Sequence, residues 1–110
     1  MAVFNLIVFM GPTEGKEDEF NQWYDEDHVP HALSLKGFKS GRRFKAGPEY
    51  MGREAPARYA AMYEIEASTL EEALQVATEG TANSYISDAV DLSSAYAIPL
   101  TPLGPIRHNA

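Results

Sequence analysis

Val3-Phe4-Asn5-Leu6-Ile7-Val8-Phe9-Met10-Gly11-Pro12-Thr13-Glu14 opens the chain with a strand that needs cover on both faces. Residues 3 to 10 are β-branched and aromatic almost without interruption, whereas a half-solvated strand alternates apolar with polar. Gly11-Pro12 ends the run. Thr13 with Glu14, Glu17, Asp18 and Glu19 then signals a helix start, since acids suit the positive end of the helix dipole. That helix is expected from about residue 15 to about 28, with Pro30 disfavouring helical geometry at Val29 and so ending or kinking it there.

The same reading extends down the chain. Gly37 to Phe44 is a second strand, in which Gly41 marks a bulge or a close backbone approach. Ala46 to Pro56 is a loop. Arg58 to Glu66 alternates as a third strand, placing Tyr59 and Tyr63 on one face, where Tyr96 of a later strand would meet them. Ser68-Thr69-Leu70-Glu71 reads as a capping box for a second helix through Leu70, Ala73, Leu74 and Ala77, ended or weakened by Gly80. Ser93 to Leu100 is a fourth strand, and residues 99 to 110 form an irregular Pro-rich tail. The order is βαββαβ: an α+β, ferredoxin-like protomer with a four-stranded antiparallel sheet and two helices on one face. Two helices leave the other sheet face bare, and its residues are too apolar for water. Face-to-face packing of two copies, a homodimer, covers it.

Composition narrows the function. With 110 residues the chain makes one domain. Its net charge of −7 argues against nucleic acid or an anionic membrane as partner. There is no cysteine, which removes thiolate chemistry and fits a cytoplasmic location. The apolar run near the start is too short to span a bilayer.

Chemistry concentrates in Trp23-Tyr24-Asp25-Glu26-Asp27-His28-Val29-Pro30-His31. On a wheel of about 100° per residue, Trp23, Tyr24, Asp27 and His28 fall within roughly 80° of Phe20, on the buried side, and Asp25 and Glu26 oppose them. His28 stands at the margin of that face, where an imidazole reaches a cavity and still exchanges protons with water. A simpler role is also open to it, as a cation at a helix C-terminus. Phe20 and Trp23 read as core before they read as a binding platform. His31 lies beyond the proline, its direction unreadable, and no firm metal site emerges. If Phe38 and Phe44 pack under the helices, Arg43 points to the opposite sheet face, free to bind a carboxylate or phenolate, unless a bulge resets the alternation.

Trp23-Tyr24-x-x-x-His28-x-Pro30, followed by Gly37-Phe38 and Arg42-Arg43-Phe44, resembles the EthD-like families of the dimeric α+β-barrel superfamily. The resemblance implies a ferredoxin-like protomer that dimerises through its sheet, with a pocket between helices and sheet and usually no cofactor. It also implies polyketide cyclase, dehydratase or decarboxylase chemistry on small aromatic or polyketide-like molecules. His28 takes the place of the motif histidine, and Trp23 and Tyr24 those of the motif aromatics. The expected function is a cofactor-independent lyase or isomerase, with His28 catalytic and Trp23, Tyr24, Arg43 and Tyr63 binding substrate. The alternatives are a non-catalytic accessory protein with the same pocket, or a monooxygenase, cofactor-free or haem-dependent.

Overall fold

Strand β1 (Ala2–Pro12) lies inside a four-stranded antiparallel sheet ordered β2-β3-β1-β4, in the computed structural model, which describes residues 1–109. The other strands are β2 (Phe38–Lys45), β3 (Tyr59–Ala67) and β4 (Val90–Leu100). Between them run α1 (Glu17–Trp23), a π-helical turn (Tyr24–His28), α2 (Val29–Leu33) and α3 (Leu70–Ala82). The α+β, ferredoxin-like order read from the sequence is the order observed. No helix among the described residues is long and apolar enough to cross a membrane.

Register explains why β1 is apolar throughout. Phe4, Leu6, Val8 and Met10 pair with Ile65, Tyr63, Ala61 and Tyr59 of β3 and belong to the core under the helices. Ile7 and Phe9 pair with Met62 and Ala60, and on the other side with Ile98 and Tyr96, on the face that no helix covers. Phe44 and Tyr96 stand 41% and 54% exposed, so the bare face is rich in apolar surface.

The first helical segment departs from expectation. It starts at Glu17 and does not end at Val29, whose backbone is helical (φ −63°, ψ −46°), but continues through Pro30 to Leu33. The reason lies one turn earlier. Proline has no N–H to give and its ring crowds the carbonyl four residues back. The Val29 N–H bonds the Tyr24 carbonyl, a five-residue step that widens the turn just before Pro30. The inserted residue also shifts the faces. Asp27, expected near the buried side, is exposed, while His28 and Val29 turn partly inward.

Smaller corrections follow the same local logic. The N-cap of α3 is Thr69, whose hydroxyl accepts the Glu72 N–H at 3.1 Å, so the capping residue is one later than the Ser68 reading. β4 begins at Val90 rather than Ser93, because a bulge after Phe9 lets the strand rejoin β1 at Gly11 and Pro12. There the Gly11 N–H donates to Ser94 Oγ at 2.8 Å. Gly80 neither ends nor frays α3. A Cβ on it would lie 2.5 Å from both methyls of Leu35, so its missing side chain seats the residue that follows α2.

Alanine is the better helix former by about 1 kcal/mol, so at an open site Gly80→Ala would stabilise. Here the overpacking against Leu35 outweighs that gain, and a net loss of about 1 kcal/mol is expected. Denaturant midpoints of Gly80→Ala and of Gly80→Ala with Leu35→Ala check this: the added methyl should destabilise the first background more than the second.

Candidate functional site

The inserted π turn brings His28 to the wall of a cavity of about 520 Å³ between sheet and helices. Its floor is Leu6, Val8, Met10, Phe38 and Tyr63 of the sheet, and its far wall is Leu74, Ala77, Thr78 and Thr81 of α3. His28, His31, Tyr63 and the two threonines supply nearly all of its polar groups, and no Asp, Glu, Lys or Arg is among the lining residues.

His28 is held by aromatic rings. Its imidazole stacks on Trp23 with ring centres 4.7 Å apart and 24° between planes, and meets Tyr24 edge to face at 4.9 Å. The Trp23 indole is itself fixed, its N–H donating to the Tyr85 carbonyl at 3.2 Å. Burial among these rings, with His31 nearby as a secondary influence, pushes His28 down to about 4. The ring is therefore neutral at pH 7. Its Nδ1 is buried and has no hydrogen-bond partner. The helix-cap reading, which needs a protonated ring, does not suit this environment.

His31, whose direction the sequence left open, also lines the cavity. Its Nε2 donates to the Gly80 carbonyl at 2.9 Å, which fixes the tautomer and ties α2 to α3. Both histidines line a second, outward recess of about 220 Å³ with Asp27, Ser84 and Tyr85. The imidazole pair is thus the partition between the apolar interior and the surface.

Arg43 is not where the alternation placed it. A register shift between Phe38 and Ser40 resets the faces of β2, so Phe38, Gly41 and Arg43 lie under the helices and Phe44 on the bare face. The guanidinium sits 4.5 Å from the Tyr24 ring centre, with Phe20 and Tyr59 also beside it. Its Nη atoms donate to Asp25 at 3.1 Å and Asn21 at 2.8 Å. Gly41, on the same face, leaves room for the Tyr63 ring, since a Cβ there would come within 2.9 Å of it. Tyr96, expected beside Tyr59 and Tyr63, pairs with Phe9 and occupies the opposite face. Tyr59 instead donates its hydroxyl to Glu17, which also accepts from Arg58 at 2.6 Å. That hydroxyl, helped by Arg58, holds the Glu17 carboxyl below its usual range.

Four buried side-chain polar atoms lack a hydrogen-bond partner among the described residues: Tyr24 Oη, Tyr63 Oη, His28 Nδ1 and Arg43 Nε. All four belong to one cluster centred on Tyr24. The Tyr24 and Tyr63 phenols influence each other's ionisation, yet neither makes a hydrogen bond of full geometry. Burial, the dominant effect on each, raises both above the ordinary phenol range and keeps them protonated. Of the five residues singled out from sequence, His28 and Tyr63 line the cavity. Trp23 and Tyr24 stand behind His28, 4% and 1% exposed, and Arg43 lies beneath Tyr24. His31 was left open, and Thr78 and Thr81 were missed. The signal was present as i, i+3 spacing, of Thr78 with Thr81 on α3 and of His28 with His31 across Pro30.

Neither a protein-family model nor a curated protein sequence matches the chain. Among solved structures, it is similar to an ethyl tert-butyl ether D (EthD) family protein from Bacillus halodurans. The TM-score is 0.58 over 92% of this chain and 99% of the other, at 9% sequence identity. At that identity the likeness is one of fold, and the fold of this chain is that of the EthD-family structure.

Proposed function

We propose that the cavity is the active site of a cofactor-independent lyase or isomerase, acting on a small aromatic or polyketide-like molecule by dehydration, decarboxylation or cyclisation. The observation that carries this reading is a neutral imidazole, His28, in the wall of an otherwise apolar cavity, backed by a cluster of buried polar atoms that make no hydrogen bond. A buried donor or acceptor left unmade costs about 1–3 kcal/mol, so proteins rarely keep several in one place without use.

His28 is the general acid/base. Being neutral at pH 7, it is ready to accept a proton from an acidic C–H or O–H of the substrate. Its low basicity makes the resulting imidazolium a strong acid, suited to returning the proton to a departing hydroxyl or a carbanion. Tyr63, protonated and with its ring in the lining, turns its hydroxyl, covered in the free protein, toward the substrate oxygen on which charge develops. Trp23 and Tyr24 set the orientation of the imidazole, and Arg43, fixed beneath Tyr24, supports the phenol pair from behind. The outward recess shared by His28 and His31 gives the protons a route to water.

The near-absence of polar lining also favours a second reading, an accessory protein that binds the same molecule without turning it over. His28→Gln separates the two. In the enzyme it should lower turnover at least about a hundredfold with the fold intact by circular dichroism. Undiminished turnover in the folded variant would rule out the catalytic role. The pH profile of the active protein should stay flat from neutrality down to about pH 5 and fall only as His28 protonates near 4.

The uncovered sheet face, with Phe9, Phe44, Met62 and Tyr96, supports a homodimer formed through it. Light scattering after size exclusion is expected to give twice the chain mass, and Phe44→Glu with Tyr96→Glu to give a folded monomer. A wild-type monomer at micromolar concentration would contradict this.

A further inference from the structure

After β4 the chain leaves the sheet as an exposed arm, and we infer that residues 102–106 of this arm clasp a second copy of the chain. Leu103 and Ile106 pack on that copy, which fills the groove between the arm and its own sheet. This rests on the reading of the uncovered sheet face as a homodimer surface and deepens it by naming the segment that holds the two copies together.

Beyond Leu100 the chain belongs to no helix or strand, and every described residue from Thr101 to Asn109 is exposed. A terminal tail of that kind is ordinarily polar and loosely held. This one carries two large aliphatic side chains, Leu103, fully exposed, and Ile106, 83% exposed. Pro102 and Pro105 stand directly before them. Each proline fixes φ near −65° and has no N–H to give, so the arm is biased to an extended form and cannot join the sheet as a regular fifth strand. The arm faces the side of the sheet that no helix covers. Pro102, Pro105 and Ile106 form one wall of a groove of about 700 Å³, and Val3, Phe44 and Met62 form the other. The arm does not close this groove on its own sheet, since Val3 and Phe44 also remain exposed across it.

A second copy is the occupant that suits this groove. Its sheet wall is continuous with the face that carries Phe9 and Tyr96, so a copy seated on that face reaches the arm as well. The groove also holds Arg42 and Glu64, one charge of each sign. Such a surface can be complementary to its own two-fold image, and it offers a strongly charged partner of either sign no net attraction. The net charge of −7 disfavours nucleic acid or an anionic membrane as a competing cover for Leu103 and Ile106. Two-fold symmetry repeats every contact, so each arm grips the copy whose own arm grips it. Leu103 and Ile106 of both chains then leave water, which the single chain does not achieve.

Leu103→Ser with Ile106→Ser tests the clasp in the full chain without changing its charge. Neither side chain belongs to the core, so the variant should keep its fold by circular dichroism. Sedimentation velocity over a dilution series gives the dimer dissociation constant of each protein. The wild type is expected to be a dimer, and the two serines to raise its dissociation constant at least about tenfold. A second measurement uses dimers mixed from methyl-labelled and unlabelled wild-type chains. Isotope-filtered spectra should show the Leu103 and Ile106 methyls in contact with protons of the unlabelled partner. A dimer that the serines leave equally tight, or one that lacks those contacts, would overturn the clasp while leaving the homodimer intact. A monomeric wild type would remove the homodimer reading itself, and the clasp with it.

Discussion

Pro30 imposes a constraint that the rest of the site depends on. A proline inside a helix removes one backbone donor and crowds the carbonyl of the preceding turn. This chain widens the turn from Tyr24 to His28, with Val29 bonding back to Tyr24, and so keeps the helix running to Leu33. Every important placement follows from that step. Asp27 is turned to water, His28 onto Trp23 at the cavity wall, and His31 across to the Gly80 carbonyl. A regular α-helix would place these side chains at different angles. π-turns of this kind occur frequently at functional sites, where the inserted residue re-aims a side chain that regular geometry would misdirect.

Electrostatics then sets the character of the cavity. The titratable groups with the largest depressed or raised values, His28 and Tyr63, are both shifted chiefly by burial, and in both the shift favours the neutral form. The strong cation nearby is neutralised by Asp25 and packed against aromatic rings. The cavity is therefore bounded by a neutral His28 and a protonated Tyr63 in an apolar shell. Hydrogen bonds in such a shell are stronger than in water and unmade ones more expensive. The same neutrality has a consequence for folding. Because His28 binds its proton less readily in the folded than in the unfolded chain, stability contributed above the ordinary imidazole range is lost as pH falls from about 6.5 towards 4.

Much of the fold was legible because it rests on periodicity. The apolar run of β1, the alternation of β3 and the spacing of Leu70, Ala73, Leu74 and Ala77 are properties of single segments, and the element order follows from them. The site was legible only in part. The motif from Trp23 to Pro30 marked His28, and the shared face of Tyr59 and Tyr63 marked the tyrosine that lines the cavity. The errors came from insertions of a single residue, each invisible to a fixed period. The π turn changed the phase of the helix after Trp23, and the bulge after Phe38 moved Arg43 from one sheet face to the other. Tyr96 was misplaced similarly, since its face depends on the irregular pairing of β4 with β1. Gly80 was ambiguous for another reason: the residue that needs its missing Cβ is Leu35, distant in sequence.

The central claim is that His28 is a neutral imidazole with a free nitrogen at an apolar wall. Long-range nitrogen–proton correlation spectra of the histidine rings across pH 3.5 to 8 measure this directly. The His28 ring is expected to stay neutral through pH 5 and to protonate near 4, with one nitrogen unshared. A His28 ring that titrates at the ordinary value near 6.5 in the folded protein would contradict it.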